Sequence, residues 1–278
     1  MLTCSSPRLR NCPKYISVRD LRPHLDFKPT IELESLQLGA DDTLPSAVTT
    51  HILESDTLWL GTSYLPAPGN GPSSIRPHLG ANHRGGRPGW VRVRSDGRTL
   101  VIPDLSGNRH MTSLGNILSD PHAGVTMVDF VSGSILYLTG SATNKVGEEA
   151  TQVMPRAKGV VTLFYVTGYT LVRDALPFRQ PPGLEQPSPY SPPVRYLTEE
   201  QAAVASLPDV KATLQGAEFH QDDLATFTFK TSSPIKVTAG QYAVLDATPL
   251  IGAQSYMHMA RKGSEALLND DGVRTWSV

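Results

Sequence analysis

The chain is poor in cysteine. It has two in 278 residues, Cys4 and Cys12, both at the N-terminal end. So few exclude a disulfide framework and read as free thiols in a reduced compartment. An excess of charge is missing too: 25 Lys and Arg stand against 26 Asp and Glu, a net of −1. That balance argues against nucleic acid or a membrane surface as a partner held by net charge. No apolar run is long enough to cross a bilayer, and the opening MLTCSSPRLRNC lacks the apolar core of a secretion signal. The expectation is a cytoplasmic protein with no membrane and no nucleic-acid partner.

Several chemical signatures are absent as well. The histidines (His24, His51, His78, His83, His110, His122, His220 and His258) show no zinc spacing with each other or with the cysteines, so no metal site is expected. There is no H-E-x-x-H, no G-x-S-x-G, no phosphate loop ending in GK[ST] and no G-x-G-x-x-G. Asp26, Asp56 and Asp129 have no visible catalytic pairing.

Glycine and proline are plentiful, 23 of each, which favours short strands and many turns over long helices. Residues 1–44 look irregular. PSAVTTHILE (45–54) reads as a short helix with Val48, Ile52 and Leu53 on one side. TLWLGTSYL (57–65) and IRPHLGANH (75–83) read as strands joined by a long turn. GWVRV and TLVIPD flank Asp96-Gly97, the strongest hairpin signal in the chain. NRHMTSLGNILSDP reads as a helix with Met111, Leu114 and Leu118 on one stripe, stopped by Pro121. GVTMVDF and SILYLTGSAT form a hairpin around Val131-Ser132-Gly133. After the short helix EEATQVMP comes GVVTLFYVTGYTLV, a long strand apolar on both faces. Trp59, Trp90, Tyr137, Phe164 and Tyr165 read as core. A Pro-rich linker follows, then a short helix with Thr198 as its N-cap, then the strands ATFTFKT and GQYAVLDA around the turn SSPIKVTA. The pattern is that of a small antiparallel barrel with the start of a second β unit.

Two stretches carry chemistry. In HRGGRPGWVRV, glycines allow tight turning beside Arg84, Arg87 and Arg92, whose guanidinium groups suit phosphate. In IPDLSGNRHMTSLGN, a strand ends at Asp104 and leads through Ser106, Asn108 and Arg109 into a helix whose first turn holds Thr112 and Ser113. Free amides, hydroxyls and an arginine at a helix start make a seat for an anion. One hairpin joins the two stretches, so both turns are expected near one sheet. Solvated turns and an ordinary helix cap are the competing reading.

These runs, followed by GSILYLTGSA, resemble the FMN-binding split-barrel family of pyridoxamine phosphate oxidase-like proteins. The likeness spans about residues 45–196 and is closest to the larger form fused to a ferredoxin-reductase-type flavin domain. It implies a mainly β fold: a six-stranded antiparallel split β-barrel with short flanking helices, dimeric, with FMN at the interface. By that resemblance the phosphate lies against Trp90 to Arg94 and Pro103 to Arg109. Arg92, Ser106, Asn108, Arg109 and Ser113 hold phosphate or ribityl groups. Val91, Val93, Pro103 and Asp104 lie along the isoalloxazine or its chain. Asn116 braces the helix or touches the ligand. His83 and Arg84, near the ring end, are the candidates for substrate or acid–base contacts.

The flanks extend the resemblance. RNCPKYI is similar to the end of a preceding split-barrel unit. FTFKTSSPIKVTAGQYAVLDA and RTWSV resemble the opening of a ferredoxin-reductase-type domain, in which Arg274, Thr275, Trp276 and Ser277 match the strand that holds FAD. The implied layout is a remnant over 1–44, the FMN-binding split barrel over 45–180, a linker and helix over 181–208, and an incomplete FAD-binding segment over 209–278. An incomplete segment argues against FAD. A chain truncated at both ends implies a homodimer that replaces the missing partner face, and an external flavin reductase. The expected function is that of an FMN-dependent oxidoreductase acting on a small organic substrate in specialised metabolism. The alternatives are a flavin-free isomerase or cyclase reusing the pocket, and a non-catalytic flavin or metabolite binder.

Overall fold

The computed structural model describes residues 13–65, 76–105, 111–157, 159–188, 190–200, 210–221, 224–235, 242–247 and 273–277. The chain forms two compact units, one running to Glu199 and the next starting at Glu200. It is mainly β and antiparallel, with few short helices.

The first unit is built on one large sheet. Its strands are β2 (Thr30–Ser35), β3 (Thr57–Tyr64), β4 (His78–Gly85), β5 (Arg92–Val93), β6 (Thr99–Pro103), β7 (His122–Asp129), β8 (Ser134–Val146) and β9 (Val160–Arg173). They run in the order β4-β3-β7-β8-β9-β6-β5, with β2 also on β9. Two very short strands, β1 (Arg22–Pro23) and β10 (Phe178–Arg179), pair separately. The sheet curls like a split barrel but does not close: among the described residues no backbone ladder joins β4 to β5 or β6. Sequence reading expects six strands; the eight here include β2, in a stretch expected to be irregular.

β9 organises the curl. Along one edge it pairs with β8 over its whole length. Its other edge is divided: residues 161–165 pair with β6, and residues 169–173 with β2. The division falls at a bulge, where Thr139 faces Gly168 but Gly140 faces Val166, so Thr167 is the extra residue. The inward phase shifts accordingly. Phe164 and Val166 point into the core before the bulge, and Tyr169 and Leu171 after it. A Cβ on Gly140 would collide with the Tyr165 carbonyl oxygen, and one on Gly168 would lie 2.5 Å from that of Leu36. Backbone fills the space a side chain would need there.

The core is the inner face of this curl. Leu58 and Leu60 of β3, Leu100 and Ile102 of β6, Val125 and Met127 of β7, and Leu136 and Leu138 of β8 meet Phe164, Trp90 and Val91. Helix α1 (Ser46–Glu54) adds Val48 and Ile52, both fully buried. Val101 and Val161 face the other way and pack with Ala150 of α3 (Glu148–Val153), Met154 and Leu197. β6 is therefore buried throughout because both of its faces are covered. β9 is covered outside only at its start; Tyr165 is 40% exposed, so the expectation of two apolar faces holds for part of the strand. Of the aromatics expected inside, Trp90 and Phe164 are buried, while Tyr137 and Tyr165 are exposed.

The Asp96-Gly97 signal marks a real hairpin, although its loop is longer than two residues. The Arg94 amide donates to the Thr99 carbonyl, Gly97 takes φ +65°, and the Asp96 carboxylate accepts from the Arg98 and Thr99 amides and the Thr99 hydroxyl. Burial pushes the Asp96 carboxyl up, but these hydrogen bonds and Arg94 outweigh it and hold it below its ordinary value.

Helix α2 (Thr112–Ser119) lies where expected but buries a different stripe. Met111 and Leu118 are exposed; Ser113, Leu114, Asn116 and Ile117 are buried. In the second unit, β11 (Ala212–Gln221) pairs with β12 (Leu224–Thr231), and β13 (Tyr242–Asp246) with β14 (Val273–Ser277). ATFTFKT and GQYAVLDA, expected on either side of one turn, each form a strand, and each pairs with another partner among the described residues. Among the described residues no helix is long and apolar enough to cross a membrane.

Candidate functional site

The site is best read outward from β4. Residues directly opposite across an antiparallel pair share a face, and successive residues alternate faces. Leu58, Leu60 and Thr62 of β3 stand opposite Arg84, Asn82 and Gly80, while Trp59 stands opposite His83. Since Leu58 and Leu60 are core, Asn82 and Arg84 face inward and His83 faces outward.

On the inner face the two chemistry-bearing stretches meet. Arg84 forms an ion pair with Asp104, just past the end of β6. Both side chains are mostly buried, 21% and 12% exposed. The Asn82 amide donates to the Ser113 hydroxyl on α2 at 2.6 Å, and Ser113 is 1% exposed. One turn on, the Asn116 amide donates to the Thr62 hydroxyl at 3.1 Å. Side chains from β4, α2 and the end of β6 thus bridge the open seam of the barrel, where no ladder runs among the described residues. Ser63 and His122 hydrogen-bond Asp120 at the foot of α2, and hold its carboxyl down at about 2.

On the outer face His83 packs edge-on against Trp59, with ring centroids 5.7 Å apart. Burial lowers its pKa; nearby Asp56 opposes that shift, and Arg19 and Arg84 add to it. Asp56, which shows no pairing in sequence, forms an ion pair with Arg19 and accepts from the Ser17 hydroxyl at 2.8 Å. Arg19 also reaches Gln180 at 3.1 Å. This network ties segments before and after the barrel to the start of β3.

Arg84, Asp104, Ser113 and Asn116 come together at the seam. His83 and Arg84 point to opposite faces of β4, so they do not converge on one small substrate. Arg92 stands opposite Val101, on the outer face, with its guanidinium 5.1 Å from the centre of the Tyr196 ring and a hydrogen bond to the Gly89 carbonyl at 3.3 Å. Trp90 and Val91 are core, 5% and 0% exposed, so their side chains offer no surface along which an isoalloxazine could lie. The Trp90 indole N–H has no hydrogen-bond partner among the described residues. Val93 packs on the core and Pro103 is buried opposite Val161. Ser106, Asn108 and Arg109 lie outside the described residues, as do the side chains of Arg274, Thr275, Trp276 and Ser277. Asn82 was not singled out in the sequence. Its signal was two-residue alternation: it shares the face of Arg84.

Two clefts lie elsewhere. One of about 760 Å³ is lined by residues including His51, Glu54, Arg173 and Arg179. The other, about 430 Å³, lies between Arg94, Lys145 and Glu199. Of the stretches expected to hold phosphate, only Arg94 lines either of them. Among the described residues no group of His, Cys, Asp and Glu is arranged to hold a metal.

No family model matches the chain, and no curated protein does. Among solved structures it is similar to HupZ of Group A Streptococcus, at 13% identity over 45% of this chain and 92% of that one, with a TM-score of 0.32. A candidate pyridoxamine 5'-phosphate oxidase from Lactobacillus delbrueckii matches at 13% identity over 49% and 98%, TM-score 0.34. A Clostridium acetobutylicum protein related to general stress protein 26, of the pyridoxinephosphate oxidase family, matches at 12% over 54% and 91%, TM-score 0.28. At that level of identity and overlap, neither ligand nor activity carries over to this chain.

Proposed function

We propose that the chain is an FMN-dependent oxidoreductase-like protein acting on a small organic substrate, with the flavin held at the seam between β4, β6 and α2. One observation carries this reading: two stretches separated in sequence, each suited to an anion, meet there through Arg84–Asp104 and Asn82–Ser113. The donor set suits FMN in kind. Ser113 accepts from Asn82 and keeps its own O–H to donate. The first turn of α2 adds backbone N–H groups, and its N-cap residue, Met111, makes no side-chain cap hydrogen bond.

FMN, when bound, supplies hydride chemistry at its ring; the protein supplies position and charge. Arg84 and Asn82 orient polar edges of the ligand, and the apolar wall of Val93 and the core behind it exclude water. A homodimer and an external flavin reductase complete the proposal.

The absorption spectrum of the purified chain is the test. Flavin bands, native or after reconstitution with FMN, are expected. A colourless protein that takes up no FMN would overturn the reading in favour of a flavin-free isomerase or cyclase.

A further inference from the structure

We infer that Asp104 is the resting counter-ion of Arg84, and that an incoming oxyanion takes its place. The inference rests on the reading of the seam as an anion site. Three observations lead to it. First, Arg84 and Asp104 pair across the one line of the barrel where no backbone ladder is described, so the contact can open without breaking a strand pair. Second, the pairing is one-pronged: the contact runs from Nη1 to a single carboxylate oxygen, Oδ1, and no hydrogen bond of Nε or Nη2 is described. A guanidinium is built to grip an oxyanion through two parallel N–H bonds, so a phosphate or carboxylate that engages the whole fork competes with advantage. Third, the pair is mostly withdrawn from water, at 21% and 12% exposure, so the guanidinium needs an anionic partner at all times and has a carboxylate standing in for the ligand.

Asp104 then sets both affinity and selectivity. A weakly held anion does not repay the loss of the internal pair, and a ligand that fills the fork does. The occupant is an oxyanion, supplied either by the phosphate of the flavin or by a carboxylate of the substrate.

The experiment is calorimetric titration of inorganic phosphate, FMN, riboflavin and benzoate into the full chain and into Asp104→Asn, Arg84→Gln and the double variant. Asp104→Asn is expected to bind at least one oxyanion roughly tenfold more tightly than the unmodified chain, with the gain abolished in the double variant. A gain for phosphate and FMN but not for riboflavin or benzoate assigns the fork to the cofactor. A gain for benzoate alone assigns it to the substrate. No gain for any anion, or a gain that survives Arg84→Gln, overturns the inference. Should the unmodified chain bind no FMN while Asp104→Asn still gains affinity for phosphate or benzoate, the flavin reading fails and the counter-ion role stands. For a check that needs no Asp104 variant, the Arg84 Nε–H resonance, identified by its loss in Arg84→Gln, should move on titration with phosphate or benzoate. A resonance that stays fixed with both would overturn the inference.

Discussion

His83 and His51 are the residues whose surroundings make the clearest statement about pH. Burial lowers both pKa values below the ordinary 6.5; around His51 the Met127 carbonyl, Asp129, Glu54 and Glu32 offset part of that shift. The unfolded chain therefore takes up these protons more readily than the folded one. Stability is complete above about pH 7 and falls as pH drops through the unfolded value near 6.5. Urea midpoints should be lower at pH 5.5 than at pH 7.5, with a smaller difference in His83→Gln; an unchanged difference in that variant would exclude His83 as a contributor. The same residues show the limits of reading a motif by its letters. His83 and Arg84 are neighbours in sequence, and strand alternation sends them to opposite sides of the sheet. Trp90 and Val91 sit in a stretch expected by resemblance to face a ligand, yet core packing consumes them. Arg84, Asp104, Ser113 and Asn116 were legible because their side chains are polar beside turns. That Asp104 would neutralise Arg84 was not legible, because it depends on β4 and β6 curling toward each other.

Elements with strong periodicity or strong turn residues were read well: α1, the β3–β4 pair, the hairpin at Asp96-Gly97, the β7–β8 hairpin and β9. β2 was missed although TIELES alternates apolar with charged residues, because it is short and sits half-exposed on an edge, where Glu32 pairs with Arg173 and Glu34 with Thr170. β11 was missed because ATLQGAEFHQ is exposed along its whole length and holds two register shifts, between Leu214 and Gly216 and between Phe219 and Gln221. In α2 the buried stripe is one step from the apolar one, since Ser113 and Asn116 are drawn in by Asn82 and Thr62. The bulge on β9 also bears a testable load. Gly140→Ala would drive a methyl into the Tyr165 carbonyl, where only backbone could yield. The expected cost is about 3 kcal/mol, against a fraction of that for Gly216→Ala on the exposed hairpin, where a Cβ meets nothing. Equal unfolding midpoints for the two variants would contradict the packing described at the bulge.

At the scale of the molecule, the mainly β antiparallel character and the split-barrel curl were visible in sequence, and the open seam was not. Periodicity describes each strand's faces; closure depends on which edges meet in space. Here β9 offers one edge to two partners, and among the described residues β4 reaches the end of β6 and α2 through side chains. That gap is also where the polar groups gather, so a structural feature and a functional one share an origin. The most direct test of the proposal is a pair of fluorescence titrations, FMN against riboflavin, on the unmodified chain and on Ser113→Ala. The account predicts saturable FMN binding, riboflavin weaker by roughly tenfold or more for want of its phosphate, and FMN weakened in Ser113→Ala. Equal affinity for FMN and riboflavin, with Ser113→Ala indistinguishable from the unmodified chain, would contradict it.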